Sequence, residues 1–83
     1  MKEADLYIKA QCAIAELKGC IFELLNSFPE GLSNAEIGKT LGIYQGHSNG
    51  QEGHVSRTLL ALMEMEQIVA QNKKTKLWSL RSN

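Results

Sequence analysis

Within one stretch of the chain, Leu32 to Leu80, the hydrophobic period changes from helical to alternating, and that change fixes the order of its elements. Ser33-Asn34-Ala35-Glu36 opens a short helix as a capping box: the Ser33 hydroxyl satisfies a free backbone N–H while Glu36 reaches back to the Ser33 amide. Gly42 closes this helix, and Ile37 and Leu41 form its core side. Val55, Leu59, Leu62 and Met63 then recur at helical spacing and predict a second helix that reaches about Met65. From Ile68 to Leu80 the residues alternate around Asn72-Lys73-Lys74-Thr75, as in a hairpin. Trp78 and Leu80 share one strand face, expected to pack on the helices, with Leu77 on the other.

Upstream, the residues from about Glu3 to Asn26 are strong helix formers. Leu6, Ala10, Ala13, Ile14, Leu17, Ile21, Leu24, Leu25 and Phe28 make one apolar stripe, on one long helix or on two with a bend near Gly19. A weaker stripe of Ile8, Cys12, Ala15 and Phe22 widens the apolar arc beyond what one neighbour covers. Part of this helix is therefore expected to meet another chain, the alternative being that these residues tuck under the hairpin of the same molecule. Pro29-Glu30-Gly31 ends the helix. The stretch from Gly42 to Gly53 inclusive holds four glycines and small polar residues, a loop longer than the three or four residues that usually join two compact helices. Asn49, with Glu52 three places on, offers an early start to the next helix.

A chain of 83 residues builds a single domain, 1–83, with a modest core, a size at which a second copy often helps. A homodimer through the N-terminal helix is expected. Nine basic and nine acidic side chains cancel, which argues against a purely electrostatic grip on phosphate. The distribution is less even: residues 1–30 carry five acidic and three basic groups, residues 51–83 five basic and three acidic. Cys12 and Cys20 lie eight residues apart on one helix, roughly 12 Å, and cannot pair with each other. Without a leader or an apolar run long enough to span a bilayer, the chain reads as cytoplasmic, with no membrane partner, its thiols reduced and packed as small hydrophobes.

The polar residues of the C-terminal half suggest a DNA-binding surface. With Val55, Leu59 and Leu62 turned inward, Arg57 faces outward, suited to a guanine edge or a phosphate. Ser56, near the helix start, is a candidate phosphate donor. His47, Ser48, Gln51 and His54 fall at or before the amino end of the same helix, where free amides favour an anion. Lys73, Lys74 and Lys76 crowd the hairpin, with Asn72 supplying the turn, and three cations on a protruding ribbon suit a sugar-phosphate backbone. Each has a plainer reading: a solvated arginine, a surface serine, a charged strand edge that blocks aggregation. Two histidines seven apart fall short of a zinc pattern, and no nucleophile has a base fixed beside it. Neither catalysis nor a cofactor is expected.

The run Leu32-Ser33-Asn34-Ala35-Glu36-Ile37-Gly38-Lys39-Thr40-Leu41-Gly42, then Val55-Ser56-Arg57-Thr58-Leu59-Leu60-Ala61-Leu62, then Ile68-Val69 and the hairpin, resembles the winged helix-turn-helix superfamily of bacterial and archaeal regulators. The likeness spans roughly Leu24 to Leu80, and the long glycine-rich loop departs from it. It implies a mainly α fold, a three-helix core with a small two-stranded β-wing. It also implies binding of double-stranded DNA by a dimer, with the third helix in the major groove and the wing beside it, as in a transcription regulator. The alternatives from other classes are a winged-helix module for protein association and an accessory DNA-targeting subunit of a DNA-processing system.

Overall fold

Helix α1 covers Glu3–Asn26 in one piece, passing Gly19 without interruption. Glu3 and Asp5 in its first turn complement the positive end of the helix dipole. The computed structural model describes residues 2–44 and 53–81. Two further helices, α2 (Asn34–Leu41) and α3 (His54–Met65), and two strands, β1 (Val69–Gln71) and β2 (Trp78–Leu80), complete the described fold. It is mainly helical, with three helices and one small antiparallel sheet. The proposed helix start at Asn49 and Glu52 lies outside the described residues.

The capping box of α2 is formed as its sequence dictates: Ser33 Oγ accepts from the Glu36 amide at 3.1 Å and Glu36 Oε1 accepts from the Ser33 amide at 2.8 Å. At the other end Gly42 takes φ 75°, and Ile43 donates to the Gly38 carbonyl at 2.8 Å, closing the helix with a left-handed residue. Helix α3 ends in the same way. Gln67 donates to the Glu64 carbonyl and Ile68 to that of Met63, both at 2.9 Å, with Gln67 itself at φ 64°. A glutamine holds a conformation that its Cβ disfavours.

The core draws on every described element. Ile21 and Leu25 of α1, Ile37 of α2, Leu59, Leu60 and Met63 of α3, Val69 of β1 and Trp78 of β2 are all buried. Leu80 packs on this cluster beside Trp78. The hairpin pairs Val69 with Leu80, Ala70 with Ser79 and Gln71 with Trp78. A short third arm joins it, because Leu32 and Trp78 exchange backbone hydrogen bonds of 2.7 and 2.9 Å. Lys18 reaches Glu66 at 2.6 Å, tying α1 to the end of α3; both side chains are partly solvated, so the pair contributes at most about 1 kcal/mol.

Three expectations from the sequence need correction. The inner face of α3 is Ser56, Leu59, Leu60 and Met63, whereas Val55 and Leu62 are partly exposed, at 48% and 37%. The helix is rotated because it crosses α2 closely, and only a small side chain fits the crossing. Cys12 and Cys20 are exposed rather than packed inside, since they lie off the side of α1 that meets the core. Ile8 and Phe22 are exposed as well, so the second stripe is not tucked under the hairpin.

The left-handed residue closing α3 gives a direct test. Gln67→Gly removes a Cβ penalty of about 1–2 kcal/mol at a backbone cost of about 0.5–1 kcal/mol in the unfolded chain. Urea denaturation is expected to show a net gain of about 0.5–1 kcal/mol with an unchanged slope.

Candidate nucleic-acid interface

The start of α3 is fixed by its neighbour α2. Asn34, the first residue of α2, donates through Nδ2 to the Gly53 carbonyl at 3.2 Å and accepts from Ser56 Oγ through Oδ1 at 2.8 Å. Gly53 O also takes the Arg57 amide at 2.9 Å, so its two lone pairs are occupied and the Ser56 proton goes to Asn34. Gly53 sits at φ 82°, and a Cβ there would lie 2.6 Å from Asn34 Nδ2. Both the dihedral and the space demand glycine. Four residues along α2, Gly38 faces Ser56 Oγ and the Tyr44 ring at about 3 Å from where a Cβ would be. Two small residues thus let α2 and α3 approach closely.

The same segment brings the hairpin to this end of the molecule. Trp78 stands at the tip-proximal end of β2 and is bonded to Leu32, and only Ser33 separates Leu32 from Asn34. Leu32 and Asn34 are therefore within about 7 Å of each other. The base of the hairpin tip and the first turn of α3 flank one short strap of chain.

The tip is an ordered turn. Asn72 Oδ1 accepts from the amides of Lys74 at 2.8 Å and Thr75 at 3.0 Å, while the Asn72 carbonyl accepts from Lys76 at 2.7 Å. Asn72 also donates to the Leu77 carbonyl at 2.9 Å, and Thr75 Oγ1 accepts from the Leu77 amide at 3.3 Å. Lys73, Lys74 and Lys76 are all exposed, with Lys76 held at φ 66°. The Asn72 carboxamide oxygen is committed to the turn, so this residue shapes the tip.

On α3, Arg57 and His54 are exposed. Ser56 is not: it is fully buried, so its expected place as a phosphate donor gives way to an interior one that joins two helices. No sequence signal marked this role, because the partner Asn34 is 22 residues away. Asn34 itself was missed for the same reason. His47, Ser48 and Gln51 lie outside the described residues. Lys39 of α2 places its ammonium 5.2 Å from the Tyr44 ring centroid, a cation–π contact. Arg57 on α3 and Lys73, Lys74 and Lys76 on the ordered turn are thus all exposed, on two elements that the strap Leu32-Ser33-Asn34 links.

Among the described residues no helix is long and apolar enough to cross a membrane. No family model, curated protein or solved structure matches the chain.

Ser56 makes the junction testable. Ser56→Ala removes the proton that Asn34 accepts and leaves a partly buried oxygen without its partner, an expected loss of about 1–2 kcal/mol in thermal or urea unfolding. Arg57→Ala, at an exposed neighbouring position, should change stability by less than about 0.5 kcal/mol.

Proposed function

We propose that this chain is a winged helix-turn-helix domain that binds double-stranded DNA, acting as a transcription regulator. The observation that carries this reading is the strap Leu32-Ser33-Asn34, bonded to Trp78 at the hairpin and to Gly53 and Ser56 at α3. It links the lysine-bearing hairpin to the amino end of α3, and that linkage supports reading α3 as a major-groove helix with the ribbon on the flanking backbone. Arg57 takes a base edge or phosphate from α3, and Lys73, Lys74 and Lys76 hold phosphates from the wing. His54 stands at the open amino end of α3.

The net charge of zero makes this a modest binder, with affinity concentrated in four cations. At about −0.9 log unit per phosphate, a full set of contacts gives a slope of log K against log salt of about −3 to −4. Fluorescence anisotropy on a random duplex at 50–200 mM salt, taken as roughly the range over which such contacts weaken, measures it. Arg57→Ala should lower the magnitude of the slope by about 1 and cost about 1–3 kcal/mol. Lys73→Ala with Lys74→Ala should lower it by about 2. Negligible, salt-insensitive binding by all three proteins would reject DNA binding.

One observation favours the second reading, a winged-helix module for protein association. The solvent side of α3 carries Ala61 and Met65, the latter 80% exposed, alongside partly exposed Val55 and Leu62. Such a face is apolar for a groove-reading helix, and that negligible, salt-insensitive result would favour this module.

A further inference from the structure

Every residue from Lys2 to Ala13 is exposed, so the first eleven residues of α1 stand clear of the body of their own chain. The Cα radius of gyration, 13.8 Å, exceeds the roughly 12 Å of a compact chain of this length, as a projecting rod requires. What stands clear is also the continuation of the core seam. Tyr7, Ile14 and Ile21, and likewise Ala10, Leu17 and Leu24, recur at intervals of seven, the spacing of a helix that packs along its length on another. Ile21 is buried in its own chain, Ile14 and Leu17 are half-covered, and Tyr7 is 68% exposed.

Where the seam leaves the body it borders a largely apolar groove between α1 and α3, about 360 Å³, lined by Ile14 and Leu17 of α1 and by His54, Val55, Thr58 and Leu62 on the outer side of α3. We infer that the occupant of this groove is the projecting half of α1 from a second copy of the chain, the two α1 helices running antiparallel so that each copy supplies one ridge and one groove. A two-fold pair needs a surface complementary to itself, and this chain presents both halves of the fit along one seam. Charge agrees. Over the projecting half as a whole Lys2 and Lys9 balance Glu3 and Asp5, and the groove lining holds His54 but no carboxylate, lysine or arginine, so two copies meet without net repulsion.

Size agrees as well. The projecting helix is about 16 Å long, about three turns to lay along a facing helix. Ala10, the small residue on the ridge, lets the helices come close. Arg57 is about 160° round α3 from Val55 in the groove, whereas His54 at the groove's edge is about 60° from Arg57. The pair therefore leaves Arg57 uncovered while drawing on His54, and this inference stands whether or not DNA is the ligand.

Sedimentation equilibrium of the full chain, from micromolar to submillimolar concentration, tests it. The native protein is expected to be a monomer–dimer system. Ala10→Glu on the ridge and Val55→Glu in the groove should each weaken association by at least about 100-fold, since an unpaired carboxylate is buried twice. Ile8→Glu, on the far side of α1, should leave it unchanged. All three positions are exposed in the single chain, and far-UV circular dichroism checks that each variant folds. Amide exchange in residues 3–13 should slow as concentration rises. A native chain that stays monomeric throughout, or a dimer that either Ala10→Glu or Val55→Glu leaves intact, overturns the inference.

Discussion

The close crossing of α2 on α3 is the constraint from which the rest of the described fold follows. Gly38 and Ser56 leave room for it, and the Asn34 carboxamide locks its open end by bonding to Gly53 and Ser56 together. A larger residue at either position would push the helices apart and break bonds that have no solvent substitute at a buried site. With Ser56 inward, Leu60 and Met63 are brought onto Ile37 and Val69, and the apolar residues Val55 and Leu62 are turned partly outward. The polar residue is inside and two hydrophobes are outside because geometry at the crossing outweighs the transfer energy of one or two side chains. Each such side chain is worth only about 1.5–3 kcal/mol even when fully buried.

That trade also explains which features were legible in the sequence. The bounds of α1, the capping box at Ser33 and Glu36, the closure at Gly42 and the inward face of Trp78 and Leu80 all depend on residues within a turn or a strand of one another. Local chemistry determines them, and the sequence reading matched the structure at each. The rotation of α3, the burial of Ser56 and the bridge from Leu32 to Trp78 depend on partners 22 to 46 residues away. Periodicity reports that a helix has an apolar side, but a serine compensated by a distant asparagine looks like a surface residue until both are placed. Cys12 and Cys20 follow the same logic: being apolar on a helix does not put a residue on the side that finds a neighbour.

The candidate DNA surface was legible in part for the same reason. Lys73, Lys74 and Lys76 declare themselves by clustering around a turn residue, and Asn72 does form that turn. Nothing local says that the hairpin and the start of α3 are linked. The strap through Leu32, Ser33 and Asn34 links them, with backbone and carboxamide bonds rather than through the cations themselves. The side chains of Arg57, Lys73, Lys74 and Lys76 are all exposed, and among the described residues they form no ion pair.

Among the described residues, two side chains hold left-handed backbone that glycine would adopt more readily, and they do so in different settings. Gln67 closes α3, where a tight pair of helix-end hydrogen bonds holds the strain and the residue itself stands exposed. Lys76 sits where the hairpin tip rejoins its strand, held by the Asn72 carbonyl at 2.7 Å. The penalty is about 1–2 kcal/mol at each site. Glycine at 76 would fold at least as well but would take one of three cations from the tip.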